Sequence, residues 1–257
     1  MSPQGLYSCY ISSGAKLCGG AFCRILKIGG WWIEMLVSQS NNFVLIHIQK
    51  TGGVSISEVL KGSVPDATNH QPRHMFASQA VERVEDWEKH FKFAFVRNPW
   101  DRLVSWYSMI NKIKQARASK QPLTRRQRVR LKNNPFLRYV VRNAPTFEDF
   151  IRNCTNEIEI GDGFYYSSIY NQIDYLTDEN GDLLVDYIGR FERFTEDLTV
   201  VLDKVELHAD SIPHKNPSAH DHYSSFYTDE TESIVRERFS RDIEYFGYEF
   251  ERVKSLA

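Results

Sequence analysis

Cysteine, uninterrupted apolar sequence and net charge are all in short supply in this 257-residue chain. The four cysteines are Cys9, Cys18, Cys23 and Cys154, so three fall in the first 23 residues, at spacings that match no zinc pattern. The body is therefore no disulfide scaffold, and a reducing, cytoplasmic setting is expected. The apolar stretch from Leu17 to Val37 carries Arg24, Lys27 and Glu34, which interrupts a membrane span. No basic–apolar–small-residue leader pattern is legible either, so a membrane-anchored alternative rests on that poor stretch alone. A net charge of −1 excludes global steering toward nucleic acid or a membrane surface, leaving local patches to attract any polyanion. The pattern GxxxxGK[ST] is also missing, which disfavours an ordinary ATP- or GTP-binding loop.

What is present suits one soluble domain. Hydrophobic residues make up 42% and charged residues 25%, ordinary for a globular protein long enough to bury a sizeable core. The organising stretch is FVLIHIQKTGGVSI, residues 43–56. Phe43 to Ile46 reads as a buried strand, the chain breaks at Gln49-Lys50-Thr51-Gly52-Gly53, and a helix resumes from about Val54. A glycine-containing turn between strand and helix brings backbone N–H groups close to an anion. Lys50 adds a mobile charge, and Thr51 and Ser55 add hydroxyl donors. The same residues would also serve as a plain strand-to-helix turn with a surface lysine.

A second stretch, FKFAFVRNPWDRLVSWY at residues 91–107, repeats the geometry. Phe91 to Val96 is a strand, Arg97-Asn98-Pro99 a turn, and Asp101 to Tyr107 the start of a helix, with Pro99 suited to the residues just before it. Arg97 stands at the carboxyl end of its strand, where open α/β sheets bind ligands. Ser105 follows on the helix with Arg102 three residues before it on the same side. An arginine fork with a serine hydroxyl suits a terminal phosphate.

Taken together, these stretches resemble sulfotransferases that use 3′-phosphoadenosine 5′-phosphosulfate (PAPS). The resemblance is nearest to the heparan-sulfate 2-O-sulfotransferases and their bacterial relatives. HIQKTGGVSI (47–56) is similar to that family's 5′-phosphosulfate loop and FVRNPWDRLVSWY (95–107) to its 3′-phosphate motif. IGRFERFTEDL (188–198), HKNPSAHDHYSSFY (214–227) and DIEYFGYEF (242–250) resemble later family segments. One departure is Gln49, where the family commonly has a proline that stiffens the turn.

The resemblance implies an α/β fold, a P-loop-like three-layer sandwich with a mostly parallel central sheet. It assigns residues 36–257 to the sulfotransferase domain and leaves 1–35 as a poorly defined extension. Lys50 would neutralise the leaving phosphate oxygen. Thr51, Gly52, Gly53, Val54 and Ser55 would hold the 5′-phosphate, and Arg97 and Ser105 the 3′-phosphate. Arg190, at a strand end, and Lys215, in a loop covering the nucleotide, complete the donor-binding set. A histidine between the two phosphate motifs would take the acceptor's proton. His74 is the closest match and His70 the second choice, since an imidazole of ordinary pKa about 6.5 is a suitable base. No metal is required.

The remaining chain suggests the acceptor. Lys112 to Arg142 contains eleven basic side chains and no Asp or Glu. A solvated face is one reading of such a run, and a grip on the donor or on a polyanionic carbohydrate is the other. Its aromatics are too sparse for a single-stranded nucleic-acid platform, so no nucleic-acid partner is expected. Glu157 to Tyr170, rich in tyrosine, is a candidate acceptor loop, although core packing is the expected role of at least half of its aromatics. A helix over Phe76–Glu88, a hairpin around Asn180-Gly181, a helix capped by Thr195, and a final helix over Asp229–Phe246 stopped by Gly247 complete the reading. A non-catalytic anion-binding protein and a small-molecule kinase are the rival classes. The lysine-before-glycine order speaks against the kinase.

Overall fold

The computed structural model describes residues 35–70, 75–156, 158, 170–207 and 221–253. The expected extension before Met35, His74, the tyrosine-rich acceptor loop up to residue 169 apart from Ile158, and Lys215 lie outside the described residues. Among those described, five strands form one sheet: β1 (Met35–Ser38), β2 (Phe43–Ile46), β3 (Thr68–His70), β4 (Phe91–Val96) and β5 (Tyr187–Arg190), ordered β3-β1-β2-β4-β5. β2 pairs parallel with β4, and β4 with β5, while β1 is antiparallel to both its neighbours. Four strands thus share one direction and β1 alone opposes them, which is the sense in which the sheet is mostly parallel. β1 and β3 are absent from the sequence reading. Thr68–His70 is three polar residues, too short and too polar to show a strand period.

β1, β2 and nearly all of β4 are buried along their whole length, as near-continuous apolar runs are when both sheet faces are covered. Alternate side chains go to opposite faces. Val44, Ile46, Ala94 and Val96 join one apolar cluster; Phe43, Leu45, Phe93 and Phe95 join the other. The second cluster takes in Ile56, Val59 and Leu60 of α1 (Gly53–Ser63) and Leu198, Val201 and Leu202 of α7 (Phe194–Lys204). The first takes in Trp100, Leu103 and Val104 of α3 (Pro99–Ala118), with side chains from α5 (Pro135–Asn143), α6 (Phe147–Cys154) and α8 (Asp229–Arg238).

This division positions the site. α1, which follows β2, packs on one face, and α3, which follows the adjacent parallel β4, packs on the other. Helices leaving neighbouring strands on opposite faces open a crevice at the strands' carboxyl ends, the topological switch point of an open α/β sheet.

Several expected elements come out differently. Phe76–Glu88 is not one helix. It gives the short α2 (Ala77–Val81) and a separate 3₁₀ turn at Trp87–Lys89, entered through Asp86 at φ 54°. The cationic stretch forms the end of α3, then α4 (Arg125–Asn133) and α5, with Pro135 at the start of α5. The hairpin shrinks to a single antiparallel bridge, Thr177 to Leu183. Thr195 is not the cap of α7: that position is Arg193, and Thr195 lies in the first turn. The final helix breaks at Phe239 into α8 and α9 (Ser240–Phe246), and Gly247 at φ 64° ends it as expected.

Candidate active site

The turn after β2 is built from its own residues before any ligand is considered. Lys50 has φ 71° and Gly52 φ 88°, so two left-handed residues stand within three positions. Only glycine adopts that region without a steric penalty. A Cβ on Gly52 would also lie 2.6 Å from Cε2 of Phe194, and one on Gly53 would lie 1.9 Å from Cδ2 of His47. Both glycines are therefore demanded by packing inside the protein, in addition to any close approach of an anion. Thr51 is 1% exposed, and its Oγ1 donates to the Ile48 carbonyl at 2.9 Å. Its proton closes the turn, leaving only acceptor capacity for anything else.

α1 begins with neither a capping side chain, its N-cap being Gly52, nor an acidic first turn. By contrast α6 has Glu148 and Asp149 in its first turn, and α8 has Asp229, Glu230 and Glu232. The Ser55 and Ile56 N–H groups donate to the Gly52 carbonyl at 2.9 and 3.2 Å. The N–H groups of Gly53 and Val54 precede the first intrahelical acceptors and carry the positive end of the helix dipole.

The second motif closes on this turn. Arg97 is 4% exposed. Its Nε donates to Asp101 Oδ2 at 2.7 Å, its Nη1 to the Lys50 carbonyl at 3.3 Å, and its guanidinium lies 4.1 Å from the Phe191 ring centre. The buried Gln172 side chain holds the Arg97 backbone on both sides: Oε1 accepts from Arg97 N at 2.8 Å, and Nε2 donates to Arg97 O at 2.7 Å. Nε2 also reaches Asp242 Oδ2 at 3.1 Å. Arg102, 1% exposed, donates from Nε to the Gln49 carbonyl at 3.1 Å and from Nη1 to the Tyr170 carbonyl at 3.3 Å. Burial pulls the Arg102 pKa below the usual guanidinium value, against the opposing pull of Tyr175, Asp242 and Asp174. Burial raises the Asp242 carboxyl, opposed by Arg102.

Ser105 lies one turn further along α3 and is buried. Asn98 caps α3 by accepting from Trp100 N at 3.1 Å, and its own N–H donates to Glu192 Oε1 at 2.6 Å. Arg190 stands beside Val96 in the sheet register, on the same carboxyl edge. Its guanidinium turns toward the chain's C-terminal part, donating to the Phe246 carbonyl and lying 5.0 Å from the Tyr248 ring centre.

The fold thus brings the Lys50–Ser55 turn, Arg97 and the backbone of Arg190 to one edge of the sheet. Sequence reasoning missed the supporting group: Asp101, Arg102 as a carbonyl clamp, Gln172, Asp242 and His47. Arg102 was visible inside its motif, whereas Gln172 and Asp242 carry no local pattern and meet only through the fold. Among the described residues no cluster of His, Cys, Asp or Glu could hold a metal ion, and no helix is long and apolar enough to cross a membrane.

A family model described as Sulfotransferase family matches residues 34–249, from the start of β1 to just past the end of α9. No curated protein and no solved structure matches the chain.

Proposed function

The chain belongs to the sulfotransferase family, and from that premise we propose that it moves a sulfuryl group from PAPS to a hydroxyl of a carbohydrate. The observation that carries this reading is the convergence of the Lys50 turn and Arg97 at the β2/β4 switch point, with an uncapped, acid-free helix start between them. Such a site suits a donor with one anionic group on the turn and a second on an arginine. The two apolar clusters on opposite sheet faces support the finer reading of a P-loop-like three-layer sandwich.

In this reading the acceptor oxygen forms a bond to sulfur as the bond from sulfur to the 5′-phosphate oxygen breaks. The acceptor proton passes to His74. The electron pair of the broken bond stays on the departing phosphate, where Lys50 and the Gly53 and Val54 N–H groups offset the charge. Arg97 and Ser105 hold the 3′-phosphate. Asp101 fixes the Arg97 fork through Nε, so the Nη2 edge is pre-oriented. No covalent enzyme intermediate is needed where positioning and charge stabilisation suffice. Lys215 belongs to this proposal through its segment's resemblance. For Arg190, the contacts with Phe246 and Tyr248 favour a role in anchoring the C-terminal segment beside the site. The acid-free basic stretch supports a polyanionic carbohydrate as acceptor.

The decisive experiment is incubation with PAPS labelled in the sulfuryl group and a panel of glycans, lipids and phenols. Label should appear on carbohydrate. In parallel, adenosine 3′,5′-bisphosphate should raise the melting temperature by mass action, and AMP much less. Equal shifts from AMP, ATP and the bisphosphate would remove the sulfotransferase reading and favour a kinase. Specific bisphosphate binding without transfer to any hydroxyl would leave a binding protein.

A further inference from the structure

The turn that carries Lys50 is strained and lacks the proline that its motif commonly contains. Lys50 is a non-glycine residue at φ 71°, and Gly52 two positions later is also left-handed. Such a conformation persists only where its surroundings over-determine it. Position 49, just before Lys50, is Gln and lacks the fixed φ a proline there would have.

The missing restraint comes from the other motif. Arg102 Nε donates to the Gln49 carbonyl at 3.1 Å, and Arg97 Nη1 to the Lys50 carbonyl at 3.3 Å. Two successive carbonyls of the turn are thus held by two arginines of the β4–α3 segment. A trans peptide keeps its C=O and N–H on opposite sides. Fixing these carbonyls therefore also fixes the N–H groups of Lys50 and Thr51, which point away from the arginines. Arg102 is 1% exposed, so it has almost no surface to offer a ligand, and its Nε and Nη1 are engaged by backbone carbonyls of two separate segments.

We propose that Arg102 is a positioning residue of the transfer site: by holding the Gln49 carbonyl it fixes the backbone of the Lys50 turn, and it does not touch the donor. What the turn does rests on the sulfotransferase reading; the clamp itself does not.

The test uses the full chain with Arg102→Lys and Arg102→Met, each alone and combined with Gln49→Pro. Arg238→Met serves as the comparison, because Arg238 also grips backbone and hydroxyl oxygens, those of Ile151 and Thr155, away from the turn. Two quantities are measured: amide hydrogen exchange of the 47–56 peptide, and kcat against donor KM. Loss of a charge-assisted hydrogen bond should speed exchange of that peptide about tenfold or more in both Arg102 variants. It should lower kcat by a similar factor with donor KM changing less. Gln49→Pro should recover most of both losses. Arg238→Met should lower the melting temperature and leave exchange of the 47–56 peptide unchanged.

The proposal is overturned if 47–56 exchanges as slowly in the Arg102 variants as in the parent, or if Arg102→Met and Arg238→Met behave alike in every readout. Should Arg102→Met fail to fold, recovery of folding by Gln49→Pro supports the clamp, and failure of the double variant overturns it. A parent protein inert toward PAPS whose 47–56 exchange still responds as expected would overturn the sulfotransferase reading and leave the clamp standing.

Discussion

A methyl group on Gly53 would stand 1.9 Å from Cδ2 and 2.1 Å from Nε2 of His47. The first residue of α1 is thus seated against the imidazole that follows β2, and only a residue without a Cβ lets the helix start come this close to the ring. Real side chains do not approach so closely, so either the ring or the helix must move in Gly53→Ala. Overpacking of this kind costs about 1–3 kcal/mol. Removing the ring as well, in His47→Ala/Gly53→Ala, should make room for the methyl group. A double-mutant cycle on thermal stability should therefore show favourable coupling of about 0.5–3 kcal/mol. Additive losses would mean that the helix start shifts freely and is not seated on His47.

Lys50 separates strain from chemistry. At φ 71° an L side chain costs roughly 1–2 kcal/mol that glycine avoids. Lys50→Gly should therefore be more stable than Lys50→Ala by about that free energy and melt correspondingly higher. Both should lose turnover by roughly 10²–10³, the usual cost of removing one stabiliser of developing negative charge, while affinity for the bisphosphate falls far less. Lys50→Arg should not restore turnover fully, since a planar guanidinium does not replace a compact ammonium in a tight turn. Equal melting of the Gly and Ala variants would place the strain elsewhere, and silent kinetics in all three would remove Lys50 from the reaction.

These two cases show what was legible in the sequence and why the rest was not. β2 and β4 announce themselves because each is a short apolar run ending in a turn, and the residues of both motifs are contiguous. Their arrival at one sheet edge follows from parallel pairing, which resemblance implied. The reason for each glycine was not legible, because His47 and Phe194 press on the turn only through packing between separated segments. Gln172 and Asp242 are 70 residues apart and share a buried hydrogen bond; nothing in either local sequence marks a polar residue as inward-facing. The final helix failed for a related reason: its apolar spacing continues through Phe239, but the chain breaks there, and α9 carries the buried Asp242 whose carboxylate accepts from Ile173 N at 3.0 Å. Tertiary demands outweighed an unbroken helical period.

Asp174 makes stability depend on pH. Burial pushes its carboxyl up to about 6 from 3.8; Arg241 pulls it down and Asp242 adds to the rise. An unfolded chain releases this proton near 3.8, while the folded one holds it until about 6. Below pH 4 both states are protonated and the group contributes no difference. As pH rises from about 4 to about 6 the unfolded state is increasingly favoured, at about 1.4 kcal/mol per pKa unit of difference. Asp174→Asn removes this slope and preserves an oxygen for the Asn171 N–H, which now donates to Oδ2 at 3.1 Å. The variant should match the parent near pH 4 and be the more stable at pH 7, measured by urea unfolding at both values. A stability difference that does not change between pH 4 and 7 would show that Asp174 titrates normally in the folded protein.

The basic stretch poses the acceptor question. Three of its described cations are oriented by carbonyl oxygens: Lys114 Nζ donates to the Ala144 and Pro145 carbonyls at 2.6 Å each, Arg128 Nη1 to Leu123 O at 2.8 Å, and Arg138 Nη1 to Lys132 O at 2.6 Å. The ion pairs among the described residues all lie elsewhere. A carbonyl orients a cation without cancelling its charge; Lys114 also feels the Asp149 carboxylate, and the field left around α4 is what the proposed polyanionic acceptor would meet. Replacing Arg125, Arg126 and Arg128 together by Gln removes three charges. At about 0.5 kcal/mol for each exposed pair lost, KM for a sulfated or carboxylated glycan should rise roughly tenfold. Donor binding and KM for an uncharged acceptor should hold steady. Added salt should erase the difference between parent and variant, because exposed charges are screened beyond about 10 Å at 0.1 M ionic strength. If KM is unchanged for charged and uncharged acceptors alike, the stretch is a solvated face, and the acceptor must be recognised by other residues.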